Sequence, residues 1–290
     1  MEIQSLSICV PAACPNRCKF CVAHMHRQDY LDKFCVEDAY SKQLSDLRKR
    51  LMFARDNGCN TVVLTGDGEP LSNMRFLRFF GMVNSKMPAP FRWIELQTSG
   101  VLLDGDRLQS LREDVEVNTI SLSLSSVFDD GQNFEYNGTP QSLRRADFIQ
   151  NTCREIIDAD FNLRLSLNMT DVYDHVVPEL IFERLKQLRA NQVTLRMLYG
   201  GDLDTHEGWW IRQHSASREV MERLRRFVLQ KGRALEVLPF GATRYSVDGI
   251  STVVDDDCMS TEVKPTLRYL ILRPNCRLYS KWDDKGSLIF

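Results

Sequence analysis

The sequence lacks several features that would assign it to a common class of proteins. It has no run of about 18 apolar residues and no charged segment followed by an apolar run, so neither a membrane-spanning helix nor a secretion signal is predicted. The net charge is −2, from 37 basic and 39 acidic residues, so no positive surplus points to nucleic acid. Internal repeats are absent as well. We therefore expect a cytoplasmic protein with no membrane and no nucleic-acid partner.

Cysteine, in contrast, is plentiful, with nine among 290 residues. An odd number, in a chain large enough to need no disulfides, predicts a reducing compartment. Cys14, Cys18 and Cys21 have a C-x3-C-x2-C spacing in the segment CPNRCKFC. Three thiolates this close can reach one metal centre. That centre is either a [4Fe–4S] cluster with one iron open to an outside ligand or a zinc ion completed by His24 or His26; alternatively, the three cysteines are unrelated in a chain that contains nine.

The rest of the chain alternates β-rich runs with amphipathic stretches of helix length, which is typical of a parallel sheet built from βαβ units. Six strands are predicted, at residues 4–10, 61–65, 92–98, 119–125, 161–168 and 193–199. After a helix predicted over 218–230, only strand patterns follow. The sequence thus predicts an α/β fold: a partial (β/α)6 barrel of TIM type over 1–232, capped by a small, mainly β extension over 233–290.

Polar and apolar residues alternate along these strands, although helices normally cover a parallel sheet with apolar contacts on both faces. In the fifth strand, Asn162, Arg164, Ser166 and Asn168 share the polar face. Because the apolar face must meet the helices, the polar face is expected to point into the barrel. Unpartnered buried polar groups cost about 1–3 kcal/mol each, so this pattern predicts water or a polar ligand in the lumen. Arg164 and Arg196 favour an anionic ligand, since guanidinium groups match phosphate and carboxylate.

The cysteine segment resembles that of the radical S-adenosylmethionine (SAM) enzymes, which also have an aromatic residue before the last cysteine, as Phe20 is here. The resemblance implies that Cys14, Cys18 and Cys21 bind a [4Fe–4S] cluster. It also implies that SAM chelates the open iron and is cleaved to a 5′-deoxyadenosyl radical. An external electron donor such as flavodoxin or ferredoxin is implied too.

The same resemblance implies the SAM contacts. Residues 66–70 are similar to the Gly-Gly-Glu-Pro element that holds the methionine amino group in the family, although Asp67 stands between the two glycines. Phe20 corresponds to the residue beside the adenine. The full set of implied cofactor-binding residues is Phe20, Gly66, Asp67, Gly68, Glu69, Thr98, Ser123 and Asn168.

Within the superfamily, the layout looks similar to the GTP 3′,8-cyclase of molybdenum cofactor synthesis and to viperin-like enzymes. Arg164 falls near a substrate-contacting lysine of that cyclase. The cyclase's second cluster needs three C-terminal cysteines, and only Cys258 and Cys276 are present here, so no second cluster is expected. Cys258 is either a hydrogen-atom donor to a product radical or a buried thiol that acts as a small apolar residue.

The predicted function is hydrogen abstraction from a polar, anionic or nucleotide-like small molecule in the lumen. Three alternatives stay open: epimerisation or cross-linking of a peptide, electron transfer by an iron–sulfur protein, and a zinc-stabilised binding module. Residues 203–215, which include Trp209 and Trp210, are expected either to close over the substrate as a lid or to form a solvated loop.

Overall fold

The computed structural model describes residues 2–25, 44–66, 68–200, 204–238, 241–255, 262–263, 266–282 and 284–290. The strands are β1 (Glu2–Cys9), β2 (Thr61–Thr65), β3 (Trp93–Thr98), β4 (Thr119–Leu124), β5 (Asn162–Met169), β6 (Gln192–Met197), β7 (Arg233–Val237), β8 (Thr243–Val247), β9 (Ile250–Asp255), β10 (Glu262–Val263), β11 (Thr266–Leu272) and β12 (Leu278–Tyr279). The helices are α1 (Val22–Met25), α2 (Leu44–Asp56), α3 (Met74–Ser85), α4 (Gly105–Glu113), α5 (Asp130–Tyr136), α6 (Phe148–Asp158), α7 (Pro178–Gln187), α8 (His206–His214) and α9 (Arg218–Lys231). No described helix is both long and apolar enough to cross a membrane.

The six predicted strands lie side by side in chain order, β1 to β6, and each pairs in parallel with the next. Helices connect them, as the alternating pattern requires. The predicted α/β fold with a partial barrel of TIM type is confirmed, and the strands that the structure describes do not close into a ring.

The C-terminal strands lengthen this sheet at both edges. β11 pairs in parallel with β1, and β9 pairs in parallel with β6. β8 and β7 continue beyond β9 as antiparallel strands. The division at residue 232 stays a prediction, but the strands after it belong to the same sheet as those before it.

A buried ion pair joins strands that lie near the two ends of this parallel series. Arg268 of β11 donates from Nη2 to Oδ2 of Asp255 of β9 at 2.7 Å, and both side chains are buried. β9 and β11 have no ladder between them in the described sheet. Side-chain charge therefore connects two strands that backbone hydrogen bonds do not.

The alternation within the strands separates a core from a lumen. Leu163, Leu165 and Leu167 of β5 are fully buried and belong to the apolar core that the helices cover. The amphipathic helix α6 buries Phe148, Ile149, Thr152, Cys153 and Ile156, which recur at helical spacing. On the other face of β5, Arg164 lines a cavity of about 330 Å³. The polar face thus points inward, as the alternation predicts.

Candidate active site

The cysteine segment lies just past the C-terminal end of β1, where ligand sites of barrel folds collect. Cys14 is exposed, whereas Cys18 and Cys21 are partly buried. Burial holds the pKa of the Cys18 thiol well above its usual value, and the charges of Cys21, Cys14 and Glu69 raise it further. The N–H of Cys21 donates to the carbonyl of Cys18 at 3.2 Å, so these two cysteines belong to one turn.

Backbone hydrogen bonds hold this segment against the turn that follows α5. The N–H of Lys19 donates to the carbonyl of Tyr136 at 3.0 Å, and the N–H of Arg17 donates to the carbonyl of Asn137 at 3.1 Å. Gly138 makes the close contact possible: its φ is 55°, and a Cβ there would lie 2.2 Å from the Arg17 carbonyl oxygen. No other residue fits this position without displacing the segment.

The glycine element of residues 66–70 packs against the residues just before Cys14. A Cβ on Gly68 would lie 2.0 Å from the carbonyl oxygen of Ala12, so only glycine allows this approach. The N–H of Glu69 donates to the carbonyl of Ala13 at 3.2 Å. Asp67, which interrupts the family pattern, lies outside the described residues. Packing against Ala12 therefore requires glycine at position 68, whether or not a cofactor is bound.

The Glu69 carboxylate is buried and accepts four hydrogen bonds. Oε1 accepts from the Thr98 hydroxyl at 2.6 Å and from the N–H of Leu71 at 3.3 Å. Oε2 accepts from the N–H and the hydroxyl of Ser99 at 2.9 and 2.6 Å. A carboxylate offers about four acceptor positions, so donors of the chain itself fill them. An added ammonium group would meet the charge of Glu69 and would compete with the Ser99 hydroxyl for a lone pair.

The other predicted SAM contacts lie on the neighbouring strands. Thr98 ends β3 and is buried against Glu69. Ser123 of β4 is in register with Ser166 of β5, and Asn168 is in register with Arg196 of β6. Their positions in the C-terminal parts of β4 and β5 agree with a site beside the cysteine segment, but their roles toward SAM stay predictions.

Arg164 occupies a different level of the lumen. It lies four residues before Asn168 on β5, about 13 Å along the strand. Its guanidinium forms an ion pair with Glu95 of β3, and its Nε donates to Gln192 of β6 at 3.0 Å. The sequence offers Glu95 as an acidic partner, although it lies several strands away; the contact forms across β4, on the inner face of the curved sheet.

Charged side chains, most of them arginines, line the cavity. Its described lining includes four arginines and two carboxylates: Arg164, Arg196, Arg244, Arg268, Glu95 and Asp255. Arg164 and Arg268 pair with the two carboxylates, and Arg244 contacts Glu236 at 2.5 Å. Three of these arginines are thus paired with carboxylates, and all four guanidinium-bearing residues line the same cavity.

The residue set fits a [4Fe–4S] cluster. Three sulfur ligands come from one short segment, and soft thiolates suit iron–sulfur clusters. Asn16, in the same segment, is buried with no hydrogen-bond partner for either atom of its amide, a gap that a bound cluster or SAM would fill. In the part of the chain that the structure describes, no three Cys, His, Asp or Glu side chains converge as ligands of a single ion would. Cys14, Cys18 and Cys21 would therefore hold a cluster of several irons and not a single ion.

The predicted lid forms a helix instead of a loop. α8 begins after Thr205, whose hydroxyl accepts from the N–H of Gly208, and it ends at His214. Trp210 is buried in it, while the adjacent Trp209 is half exposed. The Trp210 ring lies 5.8 Å from the ring of Phe20. The helix therefore packs against the cysteine segment itself.

Of the two C-terminal cysteines, the structure describes Cys276. Cys258 lies outside the described residues, so its role as a hydrogen-atom donor stays a prediction. Cys276 is buried, and burial raises its thiol pKa to about 11. Cys9, Cys59 and Cys153 are buried as well, as expected for core thiols.

Comparison with known proteins decides the family. Residues 8–172, more than half of the chain, match the family model described as the radical SAM superfamily. The chain belongs to the radical SAM superfamily. Enzymes of this superfamily use a [4Fe–4S] cluster and SAM, so membership of the superfamily assigns both cofactors to this chain. No curated protein matches the sequence.

Solved structures share the fold of this radical SAM chain at low identity. SuiB of Streptococcus suis bound to S-adenosylmethionine has a TM-score of 0.60 at 14% identity, over 98% of this chain and 60% of that chain. SuiB bound to the precursor peptide SuiA gives 0.59 at 14%, over 96% and 59%. The enzyme anSMEcpe with bound AdoMet and the Cp18Cys peptide gives 0.55 at 14%, over 79% and 59%. The chain thus spans about three fifths of the length of these proteins.

Proposed function

We propose that this radical SAM enzyme acts on an elongated, anionic small molecule, such as a nucleotide, held in the barrel lumen. The observation that carries the proposal is the group of four arginines that line one cavity, Arg164, Arg196, Arg244 and Arg268. When bound, the cluster and SAM supply a 5′-deoxyadenosyl radical that abstracts hydrogen from the substrate.

At the C-terminal end of the barrel, the chain holds and orients the cofactors. Cys14, Cys18 and Cys21 would bind the cluster. Glu69, fixed by Thr98 and Ser99, would place its negative charge toward the amino group of SAM. The hydrogen bonds to Glu69 come from the end of β3 and the residue after it, so its position is set by the sheet.

Deeper in the lumen, the chain would bind the substrate. A cavity of about 330 Å³ falls in the size range of small-molecule pockets, roughly 300–1,000 Å³. Guanidinium groups match phosphate and carboxylate, so the arginines that line this cavity favour a ligand that carries negative charge.

The two levels of the lumen define the length of the substrate. Asn168 lies at the level of the predicted SAM contacts, and Arg164 lies about 13 Å away from it along β5. A molecule whose anionic group reaches Arg164 and whose reacting carbon reaches SAM must span this distance. A nucleoside phosphate has that form, with charge at one end and a ribose or base at the other.

Binding of nucleotides to anaerobically reconstituted protein tests the proposal. Nucleoside triphosphates should bind and should increase 5′-deoxyadenosine release, and the matched nucleosides should do neither. Hydrogen bonds to charged groups contribute roughly 1.5–3 kcal/mol, so Arg164→Ala should weaken binding by about one to two decades. Release of 5′-deoxyadenosine without substrate should change little. Arg154→Ala, on the exposed face of α6, is the control and should leave binding intact.

The result that contradicts the proposal is equal binding of nucleosides and nucleoside phosphates, or loss of SAM binding in Arg164→Ala. Because Arg164 also pairs with Glu95, thermal unfolding of the variant must accompany the binding assay.

Peptide modification is the second candidate. It is favoured by the shared fold with SuiB and anSMEcpe, both of which have structures with bound peptides. If uncharged peptides, but no anionic small molecule, increase 5′-deoxyadenosine release, this candidate replaces the first. In either case an external one-electron donor is needed, for which flavodoxin and ferredoxin remain proposals.

A further inference from the structure

Helix α8 makes an aromatic contact with the cysteine segment that the superfamily assignment does not explain. The Trp210 ring lies 5.8 Å from the Phe20 ring, with an interplanar angle of 36°. On its other sides, His214 stacks on Trp210 at 4.5 Å, and Tyr136 meets it edge-on at 5.0 Å. Trp210 is buried in this cluster of rings.

One carboxylate fixes the two rings that hold Trp210. Asp171, just after β5, accepts from the Tyr136 hydroxyl through Oδ1 at 2.9 Å. Its Oδ2 lies 2.8 Å from Nδ1 of His214. Tyr136 is also the residue whose carbonyl accepts from the N–H of Lys19 in the cysteine segment. Asp171 therefore connects α8, α5 and the cysteine segment.

A second contact joins α8 to the chain just after the cysteines. Nδ1 of His24 lies 3.6 Å from Oε1 of Glu207, in the first turn of α8. His24 belongs to α1, which begins directly after Cys21. The helix thus touches the segment between Cys18 and Cys21 and also the helix that follows it.

We propose that Trp210 and Asp171 are positioning residues that hold the Phe20 ring in the arrangement that binds SAM. Backbone hydrogen bonds of Arg17 and Lys19 hold the cysteine segment independently, so loss of the Trp210 ring should release the Phe20 ring and leave the cluster ligands in place. The proposal rests on the proposed role of Phe20 beside the adenine of SAM. It assigns α8 a role in cofactor binding, whereas its sequence suggested a lid over the substrate.

Substitution of the two adjacent tryptophans tests the first residue. Trp210→Ala should weaken SAM binding about tenfold, since each aromatic pair contributes roughly 0.5–1.5 kcal/mol beyond burial and the ring makes three such contacts. Iron content should stay near that of the wild type. Trp210→Phe, which keeps a ring against Phe20, should recover most of the affinity. Trp209→Ala, on the exposed side of the same helix, should bind SAM like the wild type.

The role of Asp171 is tested by comparing its substitution with that of Asp174, which lies in the same loop. Asp171→Asn removes the charge between Tyr136 and His214 at constant size, and should weaken SAM binding severalfold. Asp174→Asn is the control, because the Asp174 carboxylate accepts from the N–H of Ser217, the residue before α9, and not from Tyr136 or His214. The EPR spectrum of the reduced cluster should change on adding SAM in the wild type and in Asp174→Asn, and should change less in Asp171→Asn.

These results separate positioning from plain stability. If Trp210→Ala loses SAM affinity only in proportion to a loss of folded protein, and Trp210→Phe does not recover it, the positioning role is wrong. Unchanged SAM binding in both Trp210→Ala and Asp171→Asn overturns it as well. If the wild type itself fails to bind iron and SAM, the assignment of the cofactor site fails, and that outcome is distinct from both.

Discussion

Replacing Glu69 by Gln tests how the chain recognises the amino group of SAM. The carboxylate accepts four hydrogen bonds, of which the one from the N–H of Leu71, at 3.3 Å, is the longest. An amide has one oxygen and one NH2 group, so it cannot accept from both backbone N–H groups, those of Leu71 and Ser99. The amide is expected to turn its NH2 group toward Leu71. That change leaves one buried N–H unpaired, and the folded protein should lose about 1–3 kcal/mol.

Glu69→Gln should also weaken the binding of SAM. Gln removes the negative charge that faces the ammonium group, and a hydrogen bond to a charged group contributes roughly 1.5–3 kcal/mol. The dissociation constant of SAM should rise by about one to two decades, measured by isothermal titration of anaerobically reconstituted protein.

Ser99→Ala is the matched control for Glu69→Gln. It removes one donor to Oε2 but keeps the charge, and it frees an acceptor position for the ammonium group. Its SAM affinity should therefore equal or exceed that of the wild type. Equal weakening in Ser99→Ala and Glu69→Gln would refute the reasoning, because it would show that the network of hydrogen bonds, and not the charge, determines SAM binding.

Three further predictions concern the packing around the site. Gly68→Ala should abolish iron incorporation while the circular dichroism of the sheet is retained, because its Cβ would lie 2.0 Å from the Ala12 carbonyl oxygen. Asp255→Asn should lower the free energy of unfolding in urea by about 3 kcal/mol, since it leaves the buried Arg268 guanidinium without its counter-charge; a change below 1 kcal/mol, the level of an exposed pair, would argue against the buried pair. Burial raises the pKa of Cys153 to about 12, so iodoacetamide should not label it in folded protein at pH 8. The same shift makes stability fall as the pH rises above 9.0, where the thiol of the unfolded chain ionises first; rapid labelling of the native protein at pH 8 would contradict it.

The order of β1 to β6 could be predicted because each βαβ unit is local in sequence and its strands alternate strictly. The edges of the sheet could not. β11 pairs with β1 across almost the whole chain, as in the register of Ile3 with Leu267. No local pattern specifies such a pairing, and the run of strands after 232 is equally consistent with a separate cap.

The site shows the same division. The cysteine segment and the glycine element are each a short continuous stretch of sequence, so each could be recognised on its own. The two stretches lie together in the structure. The pairing of Arg164 with Glu95 depends on how the sheet curves, so it could not be read from alternation alone. Helix α8 had a signal that went unused: Thr205 followed by Glu207 is a typical helix start, with a capping hydroxyl and an acid in the first turn.

The cluster ligands are the most direct test of the account. Anaerobically reconstituted protein should hold about four iron atoms per chain and, with dithionite and SAM, should release 5′-deoxyadenosine. Cys14→Ala, Cys18→Ala and Cys21→Ala should each abolish that release, while Cys153→Ala, which alters a buried thiol in α6, should retain it. Unchanged release of 5′-deoxyadenosine in all three cluster variants would contradict the assignment of this site.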